Sequence, residues 1–99
     1  MLPLNKDLTP LIAGRTIKAV DYTDNVLRVI FADGSIMKIK SPGPAPTDRL
    51  LNHTVKVVRQ QDDVMIIGFT DRSSAQIKLA EATSSVLLRD SHGAFEYAD

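Results

Sequence analysis

The chain has 99 residues, the size of one domain. Hydrophobic residues make up 43% and charged residues 24%, a globular balance that argues against a disordered chain. Twelve Lys and Arg offset twelve Asp and Glu, so the net charge of zero argues against a non-specific grip on phosphate backbones, and the lack of Cys excludes disulfides and thiolate chemistry.

The longest apolar run, Val64 to Phe69, falls far short of the ~20 residues that span a bilayer. The opening Met1–Asp7 has no basic stretch followed by an apolar core, so no secretory signal is expected. The absence of Cys is compatible with a cytoplasmic location.

Sliding the sequence against itself gives an ungapped match at an offset of 38, between residues 9–40 and 47–78. Eleven of the 32 aligned pairs are identical, among them Thr9/Thr47, Thr16/Thr54, Val20/Val58, Val26/Val64, Phe31/Phe69, Asp33/Asp71 and Ser35/Ser73. Chance at average composition gives about two. The expectation is an internal duplication within a single domain spanning 1–99.

Each copy is expected to open with a short helical turn. Thr9 and Thr47 suit the N-cap and Pro10 the first helical position. Gly14 and Asn52, the residues that best tolerate a left-handed backbone, mark where the turns end. A β-branched strand follows, near 16–22 and 54–60.

A short polar turn then leads to the strongest strand of each copy, Val26–Phe31 and Val64–Phe69. Leu27, Val29 and Phe31 share one face, as do Met65, Ile67 and Phe69. Asp33-Gly34 predicts a two-residue hairpin. Asp71-Arg72 replaces it in the second copy, and the penalty for Arg at positive φ predicts a different or longer turn there. The third strands are expected at 35–40 and 73–79.

Between the copies, residues 41–46 hold three prolines and read as a stiff, exposed connector. Residues 80–85 read as a polar link. Residues 86–98 read as a C-terminal β-hairpin that extends one sheet or reaches a neighbouring subunit. The fold expected is all-β with minor α: a small closed pseudo-twofold barrel or a sandwich, because one meander alone leaves an open apolar face.

The sequence offers little catalytic chemistry. His53 and His92 stand far apart, and His53 aligns with Arg15, which suggests an exposed polar position beside a helix end. Asp62-Asp63 lies in a turn, where side chains splay. No serine stands in a nucleophile elbow, and the glycines are isolated. No catalytic residue, metal ligand or cofactor is expected, and the chain reads as a non-enzyme.

The identical pairs fall on core, turn and cap positions, so a function is expected where the copies differ. The candidate partner surface is Ile30, Ile66, Arg28, Tyr22, Phe95 and Tyr97. The competing reading covers the second face of the central strands with the helical turns, Ile12 and Leu50 lying on it. The leading expectation is a small β module for protein–protein interaction or self-assembly. A nucleic-acid-binding barrel and a small-ligand-binding barrel are the alternatives, the latter weakened because six short strands enclose only a filled core.

Overall fold

The computed structural model describes residues 2–99. It is mostly β. The elements in chain order are α1 (Thr9–Ile12), β1 (Ile17–Thr23), β2 (Val26–Phe31), β3 (Ile36–Lys40), α2 (Thr47–Leu50), β4 (Val55–Gln61), β5 (Val64–Phe69), β6 (Ser74–Lys78), β7 (Val86–Arg89) and β8 (Phe95–Ala98). They form a five-stranded antiparallel sheet, β1-β2-β3-β7-β8, and a three-stranded one, β4-β5-β6. The closed-barrel expectation is corrected: β6 and β8 end their sheets unpaired, and the C-terminal hairpin makes the two sheets unequal.

Alternation explains the packing. Along β2 and β5 every second residue is buried, and Leu27, Val29, Phe31, Met65, Ile67 and Phe69 point into one shared core. The β1–β2 register runs Ile17↔Phe31, Ala19↔Ile30 and Val20↔Val29, with an irregularity between Ile17 and Ala19. The β4–β5 register runs Val55↔Phe69, Val57↔Gly68 and Val58↔Ile67, with the same irregularity between Val55 and Val57.

The sheets meet end to end. Thr16 and Thr54 form an isolated antiparallel bridge. The Val55 N–H donates to the Arg15 carbonyl at 3.0 Å, and the Ile17 N–H donates to the His53 carbonyl at 2.9 Å.

Several local expectations are corrected. Thr9 is not the N-cap of α1; that position is Leu8, and the Leu8 N–H is held by Asn5 Oδ1 at 2.9 Å. The Thr9 hydroxyl instead donates to the Val58 carbonyl and accepts from the Val58 N–H, tying α1 to β4. Pro46, rather than Thr47, caps α2. Ile12 and Leu50 are fully buried in the core, so the helical turns do not cover the outer face of the central strands.

The β2–β3 loop has three residues, not two: Phe31 pairs with Ser35, and the Phe31 carbonyl accepts from the Gly34 N–H. The β5–β6 loop is built the same way rather than being longer, with Arg72 at φ 74 where Gly34 has φ 89. Asp33 and Asp71 hold these loops, each accepting from the N–H and hydroxyl of the serine two residues on. The connector 41–46 is not wholly exposed. Ser41 is buried, Ala45 packs on the core, and the Ser41 carbonyl accepts from the Tyr22 hydroxyl at 2.8 Å.

Candidate functional site

The outer face of the five-stranded sheet gathers side chains from every one of its strands. Because Leu27, Val29, Met37, Ile39 and Leu88 point inward, their strand neighbours point out. One cross-strand row runs Ala19, Ile30, Ile36, Arg89, Phe95. The next runs Asp21, Arg28, Lys38, Leu87, Ala98. Val26 and Lys40 face each other in a third.

The result is an apolar strip of Ile30, Ile36, Leu87 and Phe95 interleaved with Arg28, Lys38, Lys40 and Arg89. Phe95 is 63% exposed, the most open large hydrophobic residue of the described chain. Asp21 is the one carboxylate in these rows, and it pairs with Arg28 at 3.3 Å. Lys38 and Lys40 form no ion pair among the described residues. These rows therefore carry more cations than carboxylates although the chain is neutral.

Two shallow grooves run along the β3–β7 seam. One, of about 480 Å³, is lined by Lys38, Lys40, Leu87, Ala98 and Asp99. The other, of about 280 Å³, is lined by Ile36, Lys38, Leu87, Arg89 and Asp90. Lys38 and Leu87 line both, so the grooves meet at that pair.

The structure divides the six residues singled out from the sequence. Ile30, Arg28 and Phe95 share the outer face of the larger sheet. Ile66 lies on the outer face of the other sheet, between Arg59 and Gln76. Tyr22 and Tyr97 turn inward and pack on the core. Tyr97 accepts a hydrogen bond from Asn5 at 3.1 Å, and burial raises its hydroxyl above the usual tyrosine range. Sequence reasoning missed Ile36, Leu87, Lys38 and Arg89 as members of the face. Their alternation was legible, but their juxtaposition depends on β7 pairing with β3, which nothing local dictates.

A second constellation surrounds Arg15. Its guanidinium makes a two-pronged pair with Glu96 of β8 at 2.9 and 3.0 Å and donates to Ser35 Oγ at 2.9 Å. It also lies 3.5 Å from Asp33 and over the Phe31 ring. Hydrogen bonding to Glu96 raises its pKa further. At the position 38 residues on, His53 stacks on Phe69 with centroids 4.7 Å apart and reaches Asp71 at 3.2 Å. Neither side chain is a freely exposed polar group, as the alignment of the two had suggested: they are 19% and 28% exposed. Both lie on the core phenylalanine of their half, and Arg15 also pins the C-terminal hairpin. The signal that could have shown this is the kept spacing to Phe31/Phe69 and Asp33/Asp71.

Among the described residues no group of three His, Asp or Glu side chains is placed to hold a metal ion. No helix among them is long and apolar enough to cross a membrane. Set against family models, curated proteins and solved structures, the chain matches none.

Proposed function

We propose that this protein is a non-enzymatic β module that binds an acidic protein surface with the outer face of its five-stranded sheet. One observation carries the reading. Ile30, Ile36, Leu87 and Phe95 form an uncovered apolar strip bordered by four cations, with Asp21 the one carboxylate in its cross-strand rows and Asp90 and Asp99 at the ends of its grooves. Uncovered strips of this composition mark partner sites, the apolar part supplying burial and the charges orientation. The unpaired Lys38 and Lys40 favour a partner with carboxylates at its rim.

Nucleic acid is the second reading, favoured by the same four cations and by exposed Phe95. It is the weaker one, because strand-binding platforms stack bases on several aromatic rings. Here the strip is aliphatic apart from Phe95. The small-ligand reading is weaker still, because the space between the sheets is filled by Phe31, Phe69 and their neighbours. The kept registers of β1–β2 and β4–β5 support an origin by duplication, with the hairpin added to one copy alone. The proposal sets the module in the cytoplasm, in keeping with a cysteine-free chain.

Affinity capture from the source tissue tests the reading, using the parent, the double variant Lys38→Glu/Leu87→Glu and the opposite-face variant Ile66→Ser. The expected result is an acidic polypeptide retained by the parent and by Ile66→Ser but lost by the double variant. Capture that depends on nuclease-sensitive material, with a steep loss in salt, would instead select the nucleic-acid reading.

A further inference from the structure

The two halves of the fold differ at one edge. β3 is covered by β7, whereas β6 ends its sheet. The Phe69 N–H donates to the Ser73 carbonyl and the Leu79 N–H to the Asp63 carbonyl, both on the β5 side. Residues of an antiparallel strand alternate between its two neighbours. Ser74, Gln76 and Lys78 therefore direct their N–H and C=O groups away from β5, where they meet no partner among the described residues. In the other half, Ile36, Lys38 and Lys40 hold the same positions on β3. They are satisfied by β7 and its lead-in, with the Lys40 N–H donating to the Ser85 carbonyl at 2.8 Å.

We propose that β6 pairs with β6 of a second copy, antiparallel across a twofold axis at Gln76, so that the two three-stranded sheets become one. The register follows from the alternation. Gln76 faces the partner subunit's Gln76, and Ser74 faces the partner subunit's Lys78. Every facing residue is one whose backbone groups point outward, so each facing pair exchanges both N–H···O=C bonds. The pairing is electrostatically permitted: the one charged residue of β6, Lys78, meets a serine and not a like charge. Buried Ala75 and Ile77 continue the core side of the joined sheet.

A β7–β8 hairpin swapped from a neighbour fits this edge poorly. In the chain's own hairpin the turn lies so close to Gly34 that an added Cβ there would stand 3.0 Å from Ser91 Cβ. The residue 38 positions on is Arg72, which shares the positive φ but carries the Cβ that Gly34 lacks. In the twofold register the paired stretch ends at Lys78, because the next outward-facing group, the Ala80 N–H, is already held by the Lys40 carbonyl at 2.8 Å. A contact between two five-residue strands is small, so the dimer is weak and concentration-dependent.

Sedimentation equilibrium and single-cysteine cross-linking test the proposal. The chain has no Cys, so Gln76→Cys and Ser74→Cys each carry one thiol. Facing hydrogen-bonded residues have Cα atoms about 5.5 Å apart, within disulfide reach. The parent is expected to self-associate with rising concentration, and Gln76→Cys to oxidise to a dimer about tenfold faster than Ser74→Cys, which faces Lys78. Gln76→Lys, which sets like charges opposite each other on an exposed position, is expected to be monomeric with an unchanged melt. A parent that stays monomeric up to ~1 mM would overturn the proposal. So would equal cross-linking of the two cysteine variants, or association that survives Gln76→Lys. Lys38→Glu/Leu87→Glu leaves β6 untouched, so loss of partner capture and loss of dimer are separate results.

Discussion

The hydroxyls of Thr16 and Thr54 lie 2.7 Å apart, at the point where β1 and β4 bring the two sheets together. The residues are 38 positions apart and serve as each other's partner. Around them the hydrogen bonds are reciprocal: the Gly14 N–H donates to the Val55 carbonyl, and the Asn52 N–H to the Ile17 carbonyl. These reciprocal backbone bonds join two meanders whose outward faces are free to differ. Because both hydroxyls are exposed, the pair contributes modestly. Thr54→Val is expected to cost no more than about 1 kcal/mol. Thr16→Val/Thr54→Val should cost less than the sum of the single changes, as a double-mutant cycle by urea unfolding would show.

Arg15 is the clamp that holds the C-terminal hairpin against the rest of the domain. Both members of its pair with Glu96 are about one-fifth exposed, so solvent screens it only in part. Glu96→Ala leaves the guanidinium short of a partner and is expected to cost about 2 kcal/mol. The loss should be local first. Amides of β7 and β8 should gain hydrogen exchange before those of β2 and β5, and equal loss of protection throughout would contradict this.

Phe69 sits on the core side of β5 and is 2% exposed. Its truncation leaves a cavity costing about 3–5 kcal/mol. A domain of this size has on the order of 5–10 kcal/mol in total. Phe69→Ala is therefore expected to lose about half of that stability and to melt well below the parent by circular dichroism, and a cooperative melt close to the parent's would refute the core assignment. Removing Phe69 also strips His53 of the ring on which it stacks.

The alternating apolar pattern made the strands and the inward set Leu27, Val29 and Phe31 legible in the sequence. The face that forms the candidate site was legible only in fragments. Ile30 and Arg28 are visible on β2, but Leu87 and Arg89 join them through β3–β7 pairing across the 45 residues from 41 to 85, which local propensity does not encode. Tyr97 is inward because it registers with Leu88, a fact of long-range pairing. The placement of Ile12 and Leu50 inside the core was likewise hidden: a four-residue turn has too little periodicity to show which sheet face it meets.

The loop equivalence predicts a stabilising change. Arg72 holds a left-handed backbone at φ 74, a conformation that costs an L-residue about 1–2 kcal/mol. Arg72→Gly relieves that strain at the expense of some chain entropy, with an expected net gain of about 1 kcal/mol. Gly34→Ala is expected to do the reverse and by more, because the added Cβ meets Ser91 as well as the positive φ. Thermal melts of the two variants side by side check both signs.

Acid should weaken the fold through its turns. The Ser35 hydroxyl and N–H hold the Asp33 carboxyl below its usual value of 3.8, and Ser73 does the same for Asp71. The N–H groups of Ala94 and His92 lower Asp90. A carboxyl whose folded pKa is depressed adds stability above its unfolded pKa and loses it as pH falls through the folded one. Melting temperature is therefore expected to hold between neutrality and about pH 5 and to fall below about pH 4. Asp33→Asn, which keeps an acceptor for the turn but does not titrate, should flatten that acid limb.

A photo-crosslinker in place of Phe95 tests most directly the proposed meeting of the larger sheet's outer face with an acidic protein. Phe95 is exposed and lies at the end of the Ile30–Ile36–Arg89 row, so the substitution leaves the core untouched. The measurement is the identity of adducts formed in the source cells, beside those from the same probe at Ile66 on the other sheet. A discrete adduct with an acidic polypeptide is expected from position 95, and none of it from position 66. Adducts with nucleic acid, or the same adducts from both positions, would contradict it.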